Sequence, residues 1–304
     1  MLLQSSVIGL LSLAVAIAML TGGIDLSVNA TANLTAIAVA LFLGAFAPAN
    51  QSSHALAATV GVVVGLLAGA GCGLFNGVLI GLFGYSPILA TLGTMTLYAG
   101  IGTVLTGGAT FFGVSAFAEI GRGSVFDIPL PAIIFLLAAL VLALVLEARR
   151  FGFTVYLFGA NEKAALYSGI NTRRVVLGVY ALSGLLSAVA GLINLGVTNS
   201  ANVDFGSSYV LLAILVSVLG GVSPSGGAGR VAGVVLAVLL LQFLSTGLNM
   251  VFQSSGSNFL KDFAWGLTLL TVLALDRFRG SRARFVIPRP QDKVAAKSPG
   301  AVRT

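Results

Sequence analysis

The chain has 304 residues, of which 57% are hydrophobic and only 8% charged, and its mean hydropathy is +1.04. That composition excludes a soluble globular domain, since no water-facing surface can be built from so few polar groups. The net charge of +7 comes mainly from residues 276–304, where eight Lys and Arg residues stand against Asp276 and Asp292.

Apolar runs long enough to cross a hydrocarbon core about 30 Å thick recur along nearly the whole chain. They predict an all-α, polytopic transmembrane helix bundle with about nine spans, at 5–22, 27–47, 55–83, 88–108, 129–146, 175–197, 208–222, 230–252 and 259–275. The opening "MLLQSSVIGLLSLAVAIAML" lacks a basic n-region and a small-residue cleavage site, so it reads as a span and not as a cleavable signal.

The first break falls at "TGGIDLS", residues 21–27, where Gly22 and Gly23 interrupt the apolar pattern. Helical backbone freed at membrane depth is tolerated where protein or a wet cavity satisfies it, and for that reason broken helices mark transport paths. Asp25 is the single charged side chain among the first 118 residues. A buried carboxylate costs several kcal/mol, so Asp25 is expected to face the protein interior or a wet vestibule. With Ser27 two residues on, the expected role is a helix N-terminal cap on the following span.

His54 lies in the polar connection "PANQSSHA"; as the only histidine it cannot assemble a usual zinc site, and in an outer loop with no flanking G-x-S-x-G it is not expected to form a Ser-His catalytic dyad. The third span carries Gly61, Gly65, Gly69, Gly73, Gly77 and Gly81, one every fourth residue. Such a ladder lets helices approach closely where lipid supplies no hydrophobic push, so scaffold packing is its expected role. Within it only Asn76 is polar enough to suggest contact with a pathway. This span exceeds the bilayer's needs at about 1.5 Å per residue, so it must tilt, bend or project. Cys72, the lone cysteine, forms no internal disulfide.

Residues 147–174 hold Arg149, Arg150, Lys163, Arg173 and Arg174, and the tail after 275 is also basic. By the positive-inside rule both face the cytoplasm, and the four spans between them are consistent with that. Arg230, in the turn closing a second glycine break at "LGGVSPSGGAGR" with Gly220 and Gly221, falls on the same side. Counting back places Met1 outside, which suggests either that one helix is missing ahead of residue 1 or that one of the nine spans is wrongly drawn. The domain reading is a permease domain at 1–275, with 147–174 as a cytoplasmic coupling loop, and a basic, poorly ordered tail at 276–304. The tail's position after a span favours anionic lipid headgroups as its partner over nucleic acid. No lysine sits in a G-x-x-x-x-G-K-[ST] pattern, so the chain does not cradle nucleotide phosphates by that route. The chain is therefore expected to act in transport, with no catalytic residue, no metal and no enzymatic activity of its own.

Four stretches, "TGGIDLSVNA", "GLFNGVLIGLFGYSPILATLGTMTLYAGI", "RRFGFTVYLFGANEKAALYSGINTRRVVLGVYALSGLLSAVAGL" and "LGGVSPSGGAGRVAG", closely resemble the permease subunits of bacterial ABC importers for ribose, xylose, galactose and related solutes such as autoinducer-2. The resemblance covers roughly residues 5–275. It implies a ten-helix inner-membrane permease working as a pair by alternating access, with two cytoplasmic ATPase subunits and an extracytoplasmic solute-binding protein. ATP and magnesium would belong to the ATPase, so this chain would bind no cofactor. Nine spans with an outside start fit that architecture without its first helix.

The family's coupling helix would fall in "GANEKAALYSGI", through Gly159, Asn161, Glu162, Ala164, Ala165, Ser168 and Gly169. Asn161 is a natural cap, Glu162 suits the positive end of a helix, the two alanines permit close packing and Gly169 ends it. The pathway and broken-helix candidates are Gly22, Gly23, Asp25, Ser27, Asn76, Gly220 and Gly221. Two features depart from the family pattern. Asn29 and Ala30 stand where many members carry Gly-Ser, and Val210 and Leu212 stand where many carry Glu and Asp. The lost carboxylates resemble permeases that pair with a second, different permease, so a heterodimer stands beside a homodimer. An ion-coupled transporter using Asp25 and a non-transporting scaffold are the competing readings. The expected solute is small and neutral, a monosaccharide or polyol.

Overall fold

The computed structural model describes residues 2–46, 54–112, 117–251 and a few positions between 263 and 274. The helices are α1 (Leu2–Leu20), α2 (Val28–Phe46), α3 (His54–Gly81), α4 (Pro87–Thr106), α5 (Ala118–Arg122), α6 (Leu130–Glu147), α7 (Arg150–Ala160), α8 (Glu162–Tyr167), α9 (Thr172–Thr198), α10 (Tyr209–Leu219) and α11 (Val231–Val251). Two short antiparallel pairs join β1 (Phe111–Phe112) to β4 (Ser200–Ala201) and β2 (Ser124–Val125) to β3 (Ile128–Pro129). The chain is an all-α, polytopic membrane bundle. Among the described residues, α2, α3, α4, α6, α9 and α11 are long and apolar enough to cross a membrane, and α1 and α10 contribute shorter apolar helices.

α1 is the central post. Leu10, Leu11, Leu13, Ile17 and Met19 are fully buried on all its sides, because α6, α9, α10 and α11 surround it. A helix apolar around its whole circumference is stable only in such a position. α3 lies along α9 through the glycine ladder. A Cβ at Gly65 would press on Leu192 at 2.8 Å, at Gly69 on the Gly184 carbonyl at 2.6 Å, and at Gly77 on the Leu177 Cα at 3.0 Å. The ladder packs the scaffold, as its spacing suggests. The outward faces of α3, α4, α6 and α11 expose Leu67, Val104, Leu137 and Phe243, which suit lipid or another membrane chain.

The span expected at 208–222 is corrected: α10 has 11 residues and, at about 1.5 Å per residue, rises only about 16 Å. Residues 199–208, mostly turns, precede it, so α10 is a half-helix following a non-helical descent. Between Glu147, the end of α6, and Thr172, the start of α9, the connection holds two helices joined by Asn161: α8, the short helix expected within 159–170, and α7, which is not expected from the sequence. The expected span at 259–275 lies largely outside the described residues, and the tail 276–304 lies wholly outside them.

Candidate functional site: the helix breaks and the short helix beside them

One end of the bundle gathers residues 21–27, 82–86, 158–162 and 220–230, together with Arg173 and Arg230, and is the basic end. α1 stops there in a Schellman motif, in which Gly22 N–H donates to Met19 O at 2.9 Å and Gly23 N–H to Ala18 O at 3.3 Å. Gly22 sits at φ 76°, open to glycine and strained for most other residues. α10 ends the same way: Gly221, at φ 83°, donates to Val218 O at 2.9 Å, and Val222 N–H donates to Ser217 O at 3.0 Å. Gly220 precedes this turn, with α11 packed so closely against it that a Cβ would meet Val234 at 2.7 Å. Both glycine breaks are therefore real helix ends.

Asp25, 2% exposed, sits between the breaks of α1 and α2. Its Oδ1 accepts the Ser27 N–H at 3.0 Å and the Ser27 hydroxyl at 2.7 Å, and its Oδ2 accepts the Ser183 hydroxyl of α9 at 2.7 Å. Asn76 of α3 donates through Nδ2 to Ser27 Oγ at 2.7 Å. This arrangement corrects the simple cap. Asp25 forms a turn on the N–H of Ser27, and Ser27 points its hydroxyl back at Asp25 and not along α2. The result is a buried polar knot that ties the α1–α2 break to α3 and α9. The Asn76 Oδ1 and the hydroxyl of nearby Tyr180 are buried without a hydrogen-bond partner. Gly23 makes room for that hydroxyl, since a Cβ there would stand 2.7 Å from it.

The descent before α10 is satisfied from α2. Asn29 Nδ2 donates to Phe205 O at 2.8 Å, and Asn33 Nδ2 donates to Val203 O at 2.7 Å and Phe205 O at 2.9 Å. Carbonyls left bare at membrane depth cost several kcal/mol each, so these amides permit the non-helical path. Asn29 is one residue of the first pair of departures noted above, and this contact gives it a local reason. Ala30, the other, is buried in α2, and Val210 and Leu212 are buried in the apolar core.

α8 has the expected ends. Asn161 Oδ1 accepts the Ala164 N–H at 3.0 Å, Glu162 opens the first turn, and Gly169 closes the helix at φ 77° with its N–H on Leu166 O at 3.0 Å. Ala165 is fully buried while Leu166 and Tyr167 are 60% and 89% exposed, and the Ser168 hydroxyl donates to Ala164 O at 2.8 Å. Gly159, by contrast, is turned inward against Leu20 and Gly227. Sequence reasoning missed Ser183, Asn33, Tyr156 and Gly227. Their partners are distant in the chain, and only the bare polarity of Asn33 inside an apolar run could have signalled one of them. A cavity of about 580 Å³ opens at the basic end, lined by Gly22, Tyr85, Glu162, Thr172, Arg173 and Tyr180 among others. Among the described residues no group of His, Cys, Asp and Glu could hold a metal ion.

The family described as branched-chain amino acid transport system, permease component, matches residues 1–273. The ribose import permease protein RbsC of Bacillus subtilis is 39% identical over 288 residues, covering 91% of this chain and 83% of that protein. Autoinducer 2 import system permease proteins LsrD are 34% identical in Photorhabdus temperata and 37% identical in Escherichia coli strain K12, each covering 80% of this chain and 73% of the relative. No solved structure matches the chain. A family match over nearly the full length, together with relatives well above 30% identity, shows that the chain belongs to the permease family of ABC importers, as a membrane-embedded translocation subunit whose ATP is hydrolysed by a separate ATPase.

Proposed function

We propose that the chain forms half of the translocation pathway of a bacterial importer for a monosaccharide or polyol, and that α8 is its coupling helix. The observation that carries this reading is the form of α8 itself: a short helix capped at both ends, anchored by Ala165, with Leu166 and Tyr167 presented to the outside. An exposed apolar pair on a rigid stub is suited to seat in a groove on a partner. The basic end faces the cytoplasm, where Arg149, Arg150, Lys163, Arg173 and Arg174 satisfy the positive-inside rule. The C-terminal tail lies on the same side of the inner membrane. Residues 1–275 form the permease domain, and the solute-binding protein docks at the opposite end. ATP binding closes the ATPase dimer and moves α8, and alternating access follows because each conformer is favoured by a different partner.

The relatives' names, ribose and autoinducer 2, support a furanose-like sugar or polyol as the solute. The likeness to the autoinducer 2 permeases, with apolar Val210 and Leu212 where many members carry carboxylates, favours a second reading in which the partner permease is a different chain. A functional complex purified from this chain and the ATPase alone would exclude that pairing. The ion-coupled alternative loses ground because the Asp25 carboxylate is already held by three donors.

The test is ATP hydrolysis by the complex reconstituted with its ATPase and binding protein, across a panel of pentoses, hexoses and polyols. Stimulation by one loaded binding protein is the expected outcome. Gly169→Pro and Glu162→Arg should leave membrane insertion intact and lower the stimulated rate. Unchanged stimulation in both would remove α8 from the coupling role.

A further inference from the structure

The basic end contains a backbone contact among three segments that the family assignment does not explain. α7 ends at Gly159 and Ala160, just before α8 begins. A Cβ at Gly159 would overlap the Leu20 carbonyl oxygen, at the end of α1, and would stand 2.6 Å from Gly227 N. Gly227 N–H donates to that same Leu20 oxygen at 2.9 Å. A Cβ at Gly226 would meet Gly159 O at 2.7 Å and Gly22 N at 2.8 Å, and one at Gly227 would meet the Ala160 Cα at 2.7 Å. Tyr156 of α7 closes the contact by donating its hydroxyl to Gly229 O at 2.9 Å. Burial raises the Tyr156 phenol above its usual pKa, so it remains a donor.

We propose that this contact is the pivot of the permease: the end of α7, the end of α1 and the 222–229 loop move together, so that displacement of α8 is delivered to the α1–α2 break and its Asp25 knot. The inference rests on the coupling role given to α8 above. Its physical content is steric. Glycines at 22, 159, 226 and 227 bring backbone against backbone, and a contact with no side chain between its parts cannot absorb a displacement by a rotamer change. Leu20 lies five residues from Asp25, so a shift of the α1 end pulls directly on the turn that Asp25 holds. The second connection available to α8, through Ile170 and Asn171 into α9, reaches the same knot only further along, where Ser183 donates to Asp25, and the substitutions used below leave that route intact and so separate the two. Gly159 is therefore a positioning residue facing inward, and the surface offered to the ATPase begins at Asn161.

The experiment uses the complete complex with its ATPase in a Cys72→Ser background, with Mg-ATP plus vanadate as the trapping probe. Thr21→Cys reports the break from within the cavity, and Ser168→Cys reports α8. The labelling rate at each position is measured with a thiol reagent, with and without trapping. Trapping should change both rates by about fivefold, the low end of an ordinary coupling free energy. Adding Gly227→Ala or the milder Tyr156→Phe should abolish most of the change at 21 and leave the change at 168. Equal changes at 21 with and without these substitutions would overturn the pivot. So would a response at 168 with none at 21 in the otherwise unaltered chain. If the ATPase does not co-purify and neither position responds, the coupling role of α8 fails, and the pivot fails with it.

Discussion

Glycine does two different jobs in this molecule, and the comparison between α3 and the basic end separates them. Along α3 the glycines keep ordinary helical backbone, and what matters is the missing side chain: Gly69 and Gly73 let α9 lie against the helix backbone itself. At the breaks, Gly22 and Gly221 adopt positive φ where α1 and α10 end, and what matters is backbone freedom, while Gly226 and Gly227 combine positive φ with close backbone contact. The first use builds a rigid seam, and the second ends helices where the chain must turn inside the bundle. Regular spacing marks the first kind, and clustering with serine, threonine or aspartate marks the second.

Breaking the seam should have the largest effect. Gly73→Leu drives a side chain into the Tyr180 carbonyl and Gly184, and overpacking of this kind against unyielding backbone should destabilise by about 3 kcal/mol or more. The check is size-exclusion recovery of folded protein from detergent after heating, with near-complete loss expected. Next comes the polar knot. Asp25→Leu leaves the Ser27 and Ser183 hydroxyls buried without their acceptor, a loss of roughly 1–3 kcal/mol visible as a lower thermal midpoint. Asp25→Asn should be milder and should retain ATP-driven uptake. Complete loss of uptake by a folded Asp25→Asn protein would instead favour an ion-binding carboxylate.

Gly22→Ala sharpens the comparison from the side of the breaks. A Cβ there finds room, its nearest neighbour being the Ser225 carbonyl at 3.4 Å, so the effect should be the backbone cost alone, roughly 1–2 kcal/mol. The smallest change is expected at Gly71. This glycine also lies on α3 but off the ladder, where an added Cβ would meet nothing within 4 Å, so Gly71→Ala should be neutral or stabilising by up to about 1 kcal/mol. A midpoint drop at Gly71 as large as that at Gly73 would show that glycine content, and not the α9 contact, governs the stability of α3.

Much of the bundle was legible from local pattern. The apolar runs place α1 to α4, α6, α9 and α11 within a few residues, because length and hydropathy alone decide whether a helix can lie in lipid. Asn161 and Gly169 could be read as helix ends because capping acts over three or four residues. α7 was not anticipated, since "RFGFTVYLFGA" is too short to span and carries no cap signal of its own. Its place depends on Tyr156 reaching Gly229, 73 residues away. α10 appeared longer in the sequence because the apolar run continues through the break at Gly220 and Gly221.

The sequence by itself determined that this is a helical membrane protein of the importer permease family, that two glycine clusters interrupt its helices, and that Asp25 lies buried beside one of them. The family follows from the resemblance of four stretches and from the relatives that match the chain, whereas the membrane class, the breaks and the burial of Asp25 follow from composition, spacing and the high cost of polar groups in hydrocarbon. Only the tertiary structure decided what Asp25 holds, which amides support the descent before α10, and that Gly159, Leu20 and Gly227 meet. Each depends on a partner far away in the chain, and helix packing brings those partners within hydrogen-bond or van der Waals distance through contacts that no local pattern encodes.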